Sequence, residues 1–516
     1  MIDHLNWTAT YVFVGFFVLI TVLGFAAGRW RSGDLNDLTE WGLGGRRFGA
    51  WVTWFLLGGD LYTAYTVIAV PALIYALGAF GFFAVPYTII VYPFIFLTMP
   101  RLWNVAHKHG YVTGADFIRG RYGVAPLEWA VAFTGILATM PYIALQLVGM
   151  EKVIEGLGFA GTGWTAHVPL TVAFVILALY TYSSGLRAPA LIAFVKDIMI
   201  YIFIIAAVII IPAKLGGFGA IFADAGKFYA GAAAANPKYP GGLILHPAQI
   251  APFITLALGS AMALFMYPHA QTGTLAAKSA DSIRRNAVAL PAYSLVLGFI
   301  ALLGLMGHAA GIKVANPQDI VPQLVLKMFP SWFVGFCFAA IAIGALVPAA
   351  IMSIAAANTF TRNIWRSAIN PALPASEEAK MAKLVSLIVK LGALLAVFFM
   401  PTLYAINLQL LGGVWVLQIF PAIVLGLYTR WFNGWALLAG WAVGMGYGTW
   451  ISYVGGAWVP VSVAPLLHMG MYNGLMALVA NVVVAGVLSA VMAAVGQKAS
   501  DVTKVGDFDD APAVRA

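Results

Sequence analysis

The stretch FGAWVTWFLLGGDLYTAYTVIAVPAL, residues 48–73, is long and apolar enough to cross a bilayer, yet an acid and two adjacent glycines sit near its middle. Asp60 follows Gly58 and Gly59 and precedes Tyr62, Thr63, Tyr65 and Thr66. A double glycine weakens a helix where several polar groups converge, and a discontinuous helix offers its freed carbonyls and amides to an ion or a substrate. The alternative is a buried aspartate held by a neighbouring helix in a purely structural bond. Charge inside hydrocarbon is expensive and is seldom kept without a use, so the functional reading carries more weight.

The rest of the chain supports the same solvent. Of 516 residues, 62% are hydrophobic and 9% charged, against about a quarter charged in an ordinary soluble domain. Too few charges remain for a water-facing surface, and apolar stretches of about 20 residues recur throughout. They read as about thirteen spans, at 8–28, 48–73, 79–99, 127–149, 166–183, 189–212, 248–267, 288–308, 331–357, 384–401, 404–428, 434–453 and 471–495. The fold class is therefore an all-α polytopic membrane protein. The first span lacks a basic start and a small-residue cleavage pattern, so it reads as a retained helix. Cys337 is the single cysteine and lies in an apolar run, which excludes a disulfide framework and a cysteine-based metal site and leaves packing.

The formal charge of +9 is scattered between spans rather than gathered in a stripe, which argues against nucleic acid. Its distribution instead orients the chain. Arg29, Arg31, Arg46, Arg47, Arg101, Lys108, Arg119, Arg121, Lys278, Arg284 and Arg285 fall on one side, and only Lys152, Lys214, Lys227, Lys238, Lys313 and Lys327 on the other. The positive-inside rule then predicts an N-terminus outside and a C-terminus in the cytoplasm. Trp51, Trp103, Trp332, Trp435 and Trp458 stand near span ends as interfacial anchors. Gly440, Gly444 and Gly448 recur every four residues, and Gly307 with Gly311 form a similar pair, the pattern that lets helices approach closely in lipid. The loop of about 213–246 is expected to carry a short external helix, and the acidic tail after Gln497, with Asp507, Asp509 and Asp510, is expected to be disordered.

Ionisable residues within the spans are Asp60, Lys196, Asp197 and Lys390. Lys390 is near enough to an end to snorkel, and Glu128 and His308 lie at ends that water reaches. Lys196 and Asp197 project about 100 degrees apart on a helix. Either they make structural ion pairs with other helices, or one of them gains and loses a proton; the two readings weigh equally. Gly259, Ser260, Tyr267, Pro268 and His269 interrupt the seventh span, and Pro268 ends or kinks its helix. His269 is a candidate proton carrier, but beside a cytoplasmic end the solvated reading is preferred.

Several segments together resemble the sodium:solute symporter family: TEWGLGGRRFGAW (39–51), YVTGADFIRGRYG (111–123), YPHAQTGTLAAKSADSIRRNA (267–287) and LQIFPAIVLGLYTRWFNGWALLAGWAVG (417–444). Their order and spacing are specific, and the resemblance runs from about Trp7 to Val495. It implies the leucine-transporter-type architecture, a 5+5 inverted repeat with one extra N-terminal and two extra C-terminal helices. The corresponding units are an N-terminal helix and loop over 1–47, the first repeat over 48–212, an external loop over 213–247, the second repeat over 248–428, two C-terminal helices over 429–495 and the tail over 496–516. In that fold the first and sixth core helices break at the midplane, here the spans with Gly58-Gly59-Asp60 and Gly259-Ser260.

Two further segments, PHAQTGTLAAKSADSIRRNAVALPAYSLVLGFIALLG and ALVPAAIMSIAAANTFTRNIW, are most similar to bacterial monocarboxylate permeases, which take up small acids of the lactate, pyruvate, propionate or acetate type across the inner membrane. One departure bears on coupling. Counting back from Asn363, where the family places an acidic residue, the usual hydroxyl pair of the sodium site is replaced by Val347 and Pro348, and the family's Thr-Asp pair appears as Lys196-Asp197. The resemblance thus implies a coupling cation, a proton in preference to sodium, handled by Asp60, Lys196 and Asp197. By location, Gly59, Tyr62, Thr63, Thr66, Tyr142, Gln146 and Tyr267 are the candidate substrate ligands, with no other cofactor and the lipid bilayer as the remaining partner. Rival readings are a sodium-coupled symporter of an amino acid or vitamin, a passive channel, and a membrane-embedded sensor, for which about twenty residues after Val495 are too few to fold. The sequence has no HExxH, P-loop or Gly-x-Ser-x-Gly elbow that would suggest an enzyme.

Overall fold

The computed structural model describes residues 5–30, 33–159, 167–399, 405–454, 456–465, 467–496 and 501–510. Arg31, the 400–404 link, and tail residues 497–500 and 511–516 lie outside the described residues. Among those described, nine helices are long and apolar enough to cross a membrane. The remaining expected spans appear as the helices Val168–Ser184, Ala375–Phe399 and Gly434–Ser452 and as a broken pair, Ala50–Gly59 with 65–77.

Exposure explains why these helices need lipid. Val14, Val18 and Val22 are exposed on Trp7–Ala26, as are Ile198, Ile202, Ile205 and Ile209 on Arg187–Lys214 and Val479, Val483, Val487 and Val491 on Asn473–Ala494. Spacings of three and four put each set on one outward face, and such apolar stripes are stable in hydrocarbon and not in water. The opposite case is Ser331–Thr359, an Ala-rich helix apolar on all sides, which packs against Trp7–Ala26, Ala125–Gly156 and Arg187–Lys214 at the centre. Cys337 packs within it, fully buried.

Two helices break inside this bundle. The first stops at Gly59 and resumes after Thr63, so Asp60 to Thr63 carry no regular helical ladder. Its glycines are helical in backbone; what they provide is room. A Cβ on Gly58 would fall on the Tyr293 ring, and one on Gly59 would lie 2.9 Å from Lys196 Nζ and 3.1 Å from Asp197 Oδ2. The second break lies at Phe265–Tyr267, between Pro247–Leu264 and Pro268–Leu275, with Pro268 at the first position of the new half-helix, where its missing N–H costs nothing. The expected break at Gly259-Ser260 is corrected: both residues stay helical, and Gly259 is small because the Tyr472 ring lies against it.

The glycine repeats divide similarly. A Cβ on Gly440 would meet Asn481 O at 2.6 Å, Gly444 faces the Gln418 side chain and Gly448 faces Ala477, so this row seats Gly434–Ser452 against its neighbours. Gly307 likewise abuts Ile320, but Gly311 has open space and φ +65, a turn position rather than a packing one.

The long loop carries the helix Phe218–Ala235. Against expectation, tail residues 501–510 are docked on the basic face. Asp501 pairs with Arg121 at 2.7 Å and Arg430 at 2.8 Å, Asp507 with Lys108 at 2.6 Å and His109 at 2.7 Å, and Asp510 with Arg284 at 2.9 Å. Phe508 is buried against Phe117, with Arg101 over its ring. The composition that suggested disorder lacked a core of its own, but the bundle supplies the opposite charge. Burial would raise the Asp507 carboxyl, but hydrogen bonds from Lys108, the Lys504 amide and His109 hold it well below the usual carboxylate range.

Two outcomes follow. Gly440→Leu forces a side chain into occupied space and is expected to cost about 1–3 kcal/mol, read as a lower Tm of the detergent-solubilised protein, whereas Gly311→Asn, at a turn that asparagine tolerates, changes it little. A carboxylate held low keeps its contacts above its ordinary titration range and loses them only as pH falls through the depressed value. Hydrogen exchange over 501–510 is thus expected to stay slow from about pH 5 to 8 and to quicken in about 1 M salt, where screening falls to about 3 Å; slow exchange in salt would assign the docking to Phe508 instead.

Candidate functional site

Broken helices leave backbone groups without helical partners, and each such group buried in hydrocarbon costs several kcal/mol (~2–7) unless it is paired. At the first break the pairing is done by side chains from elsewhere. Lys196, on Arg187–Lys214, donates from Nζ to Gly59 O and, at 3.3 Å, to Tyr62 O. Its charge is met by Asp197 Oδ1 at 3.0 Å, and Tyr293 donates to Asp197 Oδ2 at 2.7 Å. Lys196 and Asp197 are both fully buried. The two residues therefore pair with each other, and each also reaches another element, Lys196 the first break and Asp197 the helix Pro291–Ala309.

The resumed half-helix is capped by its own hydroxyls and one glutamine. Thr63 N donates to Thr66 Oγ1, Tyr65 N donates to Thr63 Oγ1 at 3.0 Å, and Ala64 N donates to Gln146 Oε1 at 3.0 Å. At the second break Gln271 Nε2 donates to Phe265 O and Met266 O.

The centre of the site is the approach of the two breaks. Asp60 caps the end of the first half-helix, and His269 lies in the first turn of Pro268–Leu275. His269 Nε2 is 3.3 Å from Asp60 Oδ2, with the Tyr142 and Tyr267 rings 5.5 and 5.3 Å from the imidazole. His269 is fully buried, so the reading of a solvated histidine at a cytoplasmic end is overturned. Neither of its ring nitrogens, nor Asp60 Oδ1, has a hydrogen-bond partner among the described residues. Small cavities flank both breaks, one lined by Asp60, Leu57, Tyr92, Phe265 and Ala270, and each has space for about one water.

The sequence-derived residues thus divide. Gly59, Lys196 and Asp197 form one bonded group, and Asp60, next to Gly59 in the chain, makes its close contact with a second group of His269, Tyr142 and Tyr267. Gln146 and Thr63 support the break, and Thr66 spends its hydroxyl on Thr63. Tyr62 turns to an aromatic cluster, 4.7 Å from Tyr293 and 5.7 Å from Tyr201, and donates to Tyr293 O at 3.2 Å. Tyr293 lies within the segment similar to the monocarboxylate permeases, but no charged neighbour in sequence singles it out as the partner of Asp197.

Val347 and Pro348 are buried in the central helix. One turn earlier Gly344 comes near Tyr62 O, so this helix faces the carbonyls that Lys196 occupies. Lys390 is buried and donates to Ser386 Oγ at 2.6 Å rather than snorkelling. Glu128, expected to be wet, is buried, accepting from Asn363 at 3.0 Å and Ser367 at 3.0 Å; Asn363 also donates to Asp116 at 2.7 Å. His308 stacks between Tyr75 and Phe228 and bonds Tyr75 O.

The arrangement has known counterparts. The pattern of the sodium:solute symporter family matches residues 41–444. A Rhizobium johnstonii protein named monocarboxylate transport permease protein is 57% identical over 500 residues, covering 96% of this chain and 99% of that protein. An uncharacterised symporter of Bacillus subtilis is 33% identical over 494 residues, covering 94% and 93%. Among solved structures, a substrate-bound, outward-open Na⁺-coupled sialic acid symporter superposes with a TM-score of 0.76 at 14% identity, covering 96% of this chain and 99% of that one. That likeness carries the leucine-transporter-type fold, in which the two broken helices open the two five-helix repeats. This chain belongs to the sodium:solute symporter family and is a multi-pass membrane transporter, not an enzyme.

Proposed function

We propose that the protein takes up small monocarboxylates, of the lactate, pyruvate, propionate or acetate type, by alternating access coupled to protons across a bacterial inner membrane. The observation that carries the proton assignment is the Lys196 ammonium seated on Gly59 O and Tyr62 O with Asp197 beside it. A hard cation such as sodium needs several oxygen ligands, and here a tethered cation already uses these carbonyls while Val347 and Pro348 offer no hydroxyl nearby. The substrate class is supported by the relative named a monocarboxylate transport permease. The basic face that binds the tail, by the positive-inside rule, is the cytoplasmic one.

On this reading Asp60, Lys196 and Asp197 form the coupling group, and the substrate sits between the two breaks beside Gly59, Tyr142 and Tyr267. Tyr62, Thr63, Thr66 and Gln146 shape the first break around it. A sodium-coupled symporter of another small solute is the second reading, favoured by the sodium-coupled structural neighbour.

Purified protein in liposomes is expected to accumulate labelled pyruvate or lactate when an inward proton gradient is imposed in sodium-free buffer. Accumulation that needs sodium and ignores the proton gradient would establish the second reading. Lys196→Ala is expected to lower gradient-driven accumulation by at least about tenfold, a loss of about 1.4 kcal/mol or more in coupling, with membrane insertion retained. Unchanged accumulation would make the lysine purely structural.

A further inference from the structure

The geometry points to His269 as the residue that receives the substrate carboxylate, with the Asp60–His269 pair taking up one proton as the anion binds. The inference rests on the monocarboxylate reading above and adds the atoms that recognise the anion.

Three observations carry it. First, His269 is fully buried at the meeting of the two breaks, 3.3 Å from Asp60 Oδ2, with Nδ1 unpartnered among the described residues. A buried polar group without a partner is costly, about 1–3 kcal/mol, and is retained where a ligand completes it. Second, the imidazole stands in the first turn of Pro268–Leu275, where free N–H groups and the helix dipole favour an anion. Asp60 stands at the opposite kind of end, the C-terminus of Ala50–Gly59, where a carboxylate is disfavoured. Third, the local charges balance only with protons counted. The titratable groups around the pair are Lys196 and Asp197 on Arg187–Lys214, Tyr87 and Tyr92 on Ala84–His109, Tyr142 on Ala125–Gly156 and Tyr267 at the break. No Asp, Glu, Lys, Arg or His occurs in the central helix Ser331–Thr359.

Lys196 and Asp197 neutralise each other. An ionised Asp60 beside a neutral imidazole would then leave one net negative charge in a buried, low-dielectric site and repel the substrate. One proton held by the pair makes the empty site neutral. A second proton, entering with the anion, leaves a protonated Asp60 and an imidazolium whose Nδ1–H faces the substrate carboxylate; the loaded site is again neutral. The proton and anion leave together when the site opens to the other side, which couples one proton to each monocarboxylate.

The test is calorimetric titration of the full-length protein in detergent with pyruvate, in buffers of different ionisation enthalpy, which reads the protons taken up on binding. The wild type is expected to take up about one proton per pyruvate. His269→Gln is expected to take up almost none and to bind about tenfold more weakly, or about 1.4 kcal/mol. Wild-type affinity and proton count in His269→Gln would overturn the assignment. Should that variant not fold, His269→Asn decides: proton uptake abolished supports the assignment, and uptake of about one proton removes it. If the wild type binds pyruvate with no proton uptake and accumulates it only with sodium, the proton coupling proposed above fails along with the pair. If the linkage persists in both variants, the Asp60–His269 assignment is wrong and the transport reading stands.

Discussion

Everything at the centre of this molecule depends on one constraint: backbone that leaves the helix inside a bilayer must find partners within the protein. The first break frees carbonyls at Gly59 and Tyr62, and a lysine ammonium from another helix answers both. The glycines exist for that bond. Without a Cβ at Gly59 the ammonium and its carboxylate partner come close to the backbone, and without one at Gly58 the Tyr293 ring, which holds the carboxylate, packs directly on the helix. A broken helix is therefore kept rigid on one side by a charge network and left open on the other, where Asp60 faces His269.

The two breaks use different devices for the same need. At the first a charged pair does the work; at the second Gln271 reaches back to Phe265 O and Met266 O, and Pro268 starts the new half-helix without an orphan donor. A neutral device adds no charge of its own near the N-terminus of the second half-helix. The field there stays favourable to an anion, with His269 as its nearest titratable group. On the basic face, too, charge is arranged in networks: Asn363 stands between Asp116 and Glu128, and the tail ties Arg101, Lys108, Arg121, Arg284 and Arg430 together.

Much of this was legible in the chain. Hydropathy reports the solvent of each segment, so the spans are found, although helix ends differ, as with 79–99 against Ala84–His109 and 384–401 against Ala375–Phe399, and a polar group in an apolar run is conspicuous because its cost is local. Asp60, Lys196, Asp197 and the helix-stopping Pro268 were readable for that reason. Gly259-Ser260 misled because a small residue in a helix serves packing as readily as breaking, and only the Tyr472 ring beside it tells which. The tail misled because its own sequence lacks a core, while its partners lie far back in the chain, from Arg430 to Arg101.

By itself, then, the sequence determined the medium, the all-helical class, the family and the place of the first break, since these follow from composition, periodicity and local motif. Tertiary structure alone decided which groups meet. That Lys196 turns to its own neighbour Asp197, that Gly58 and Gly59 are spacers, and that His269 lies buried against Asp60 are consequences of how two distant broken helices pack. No local property of a histidine two residues after a tyrosine states the distance to an aspartate in the other repeat.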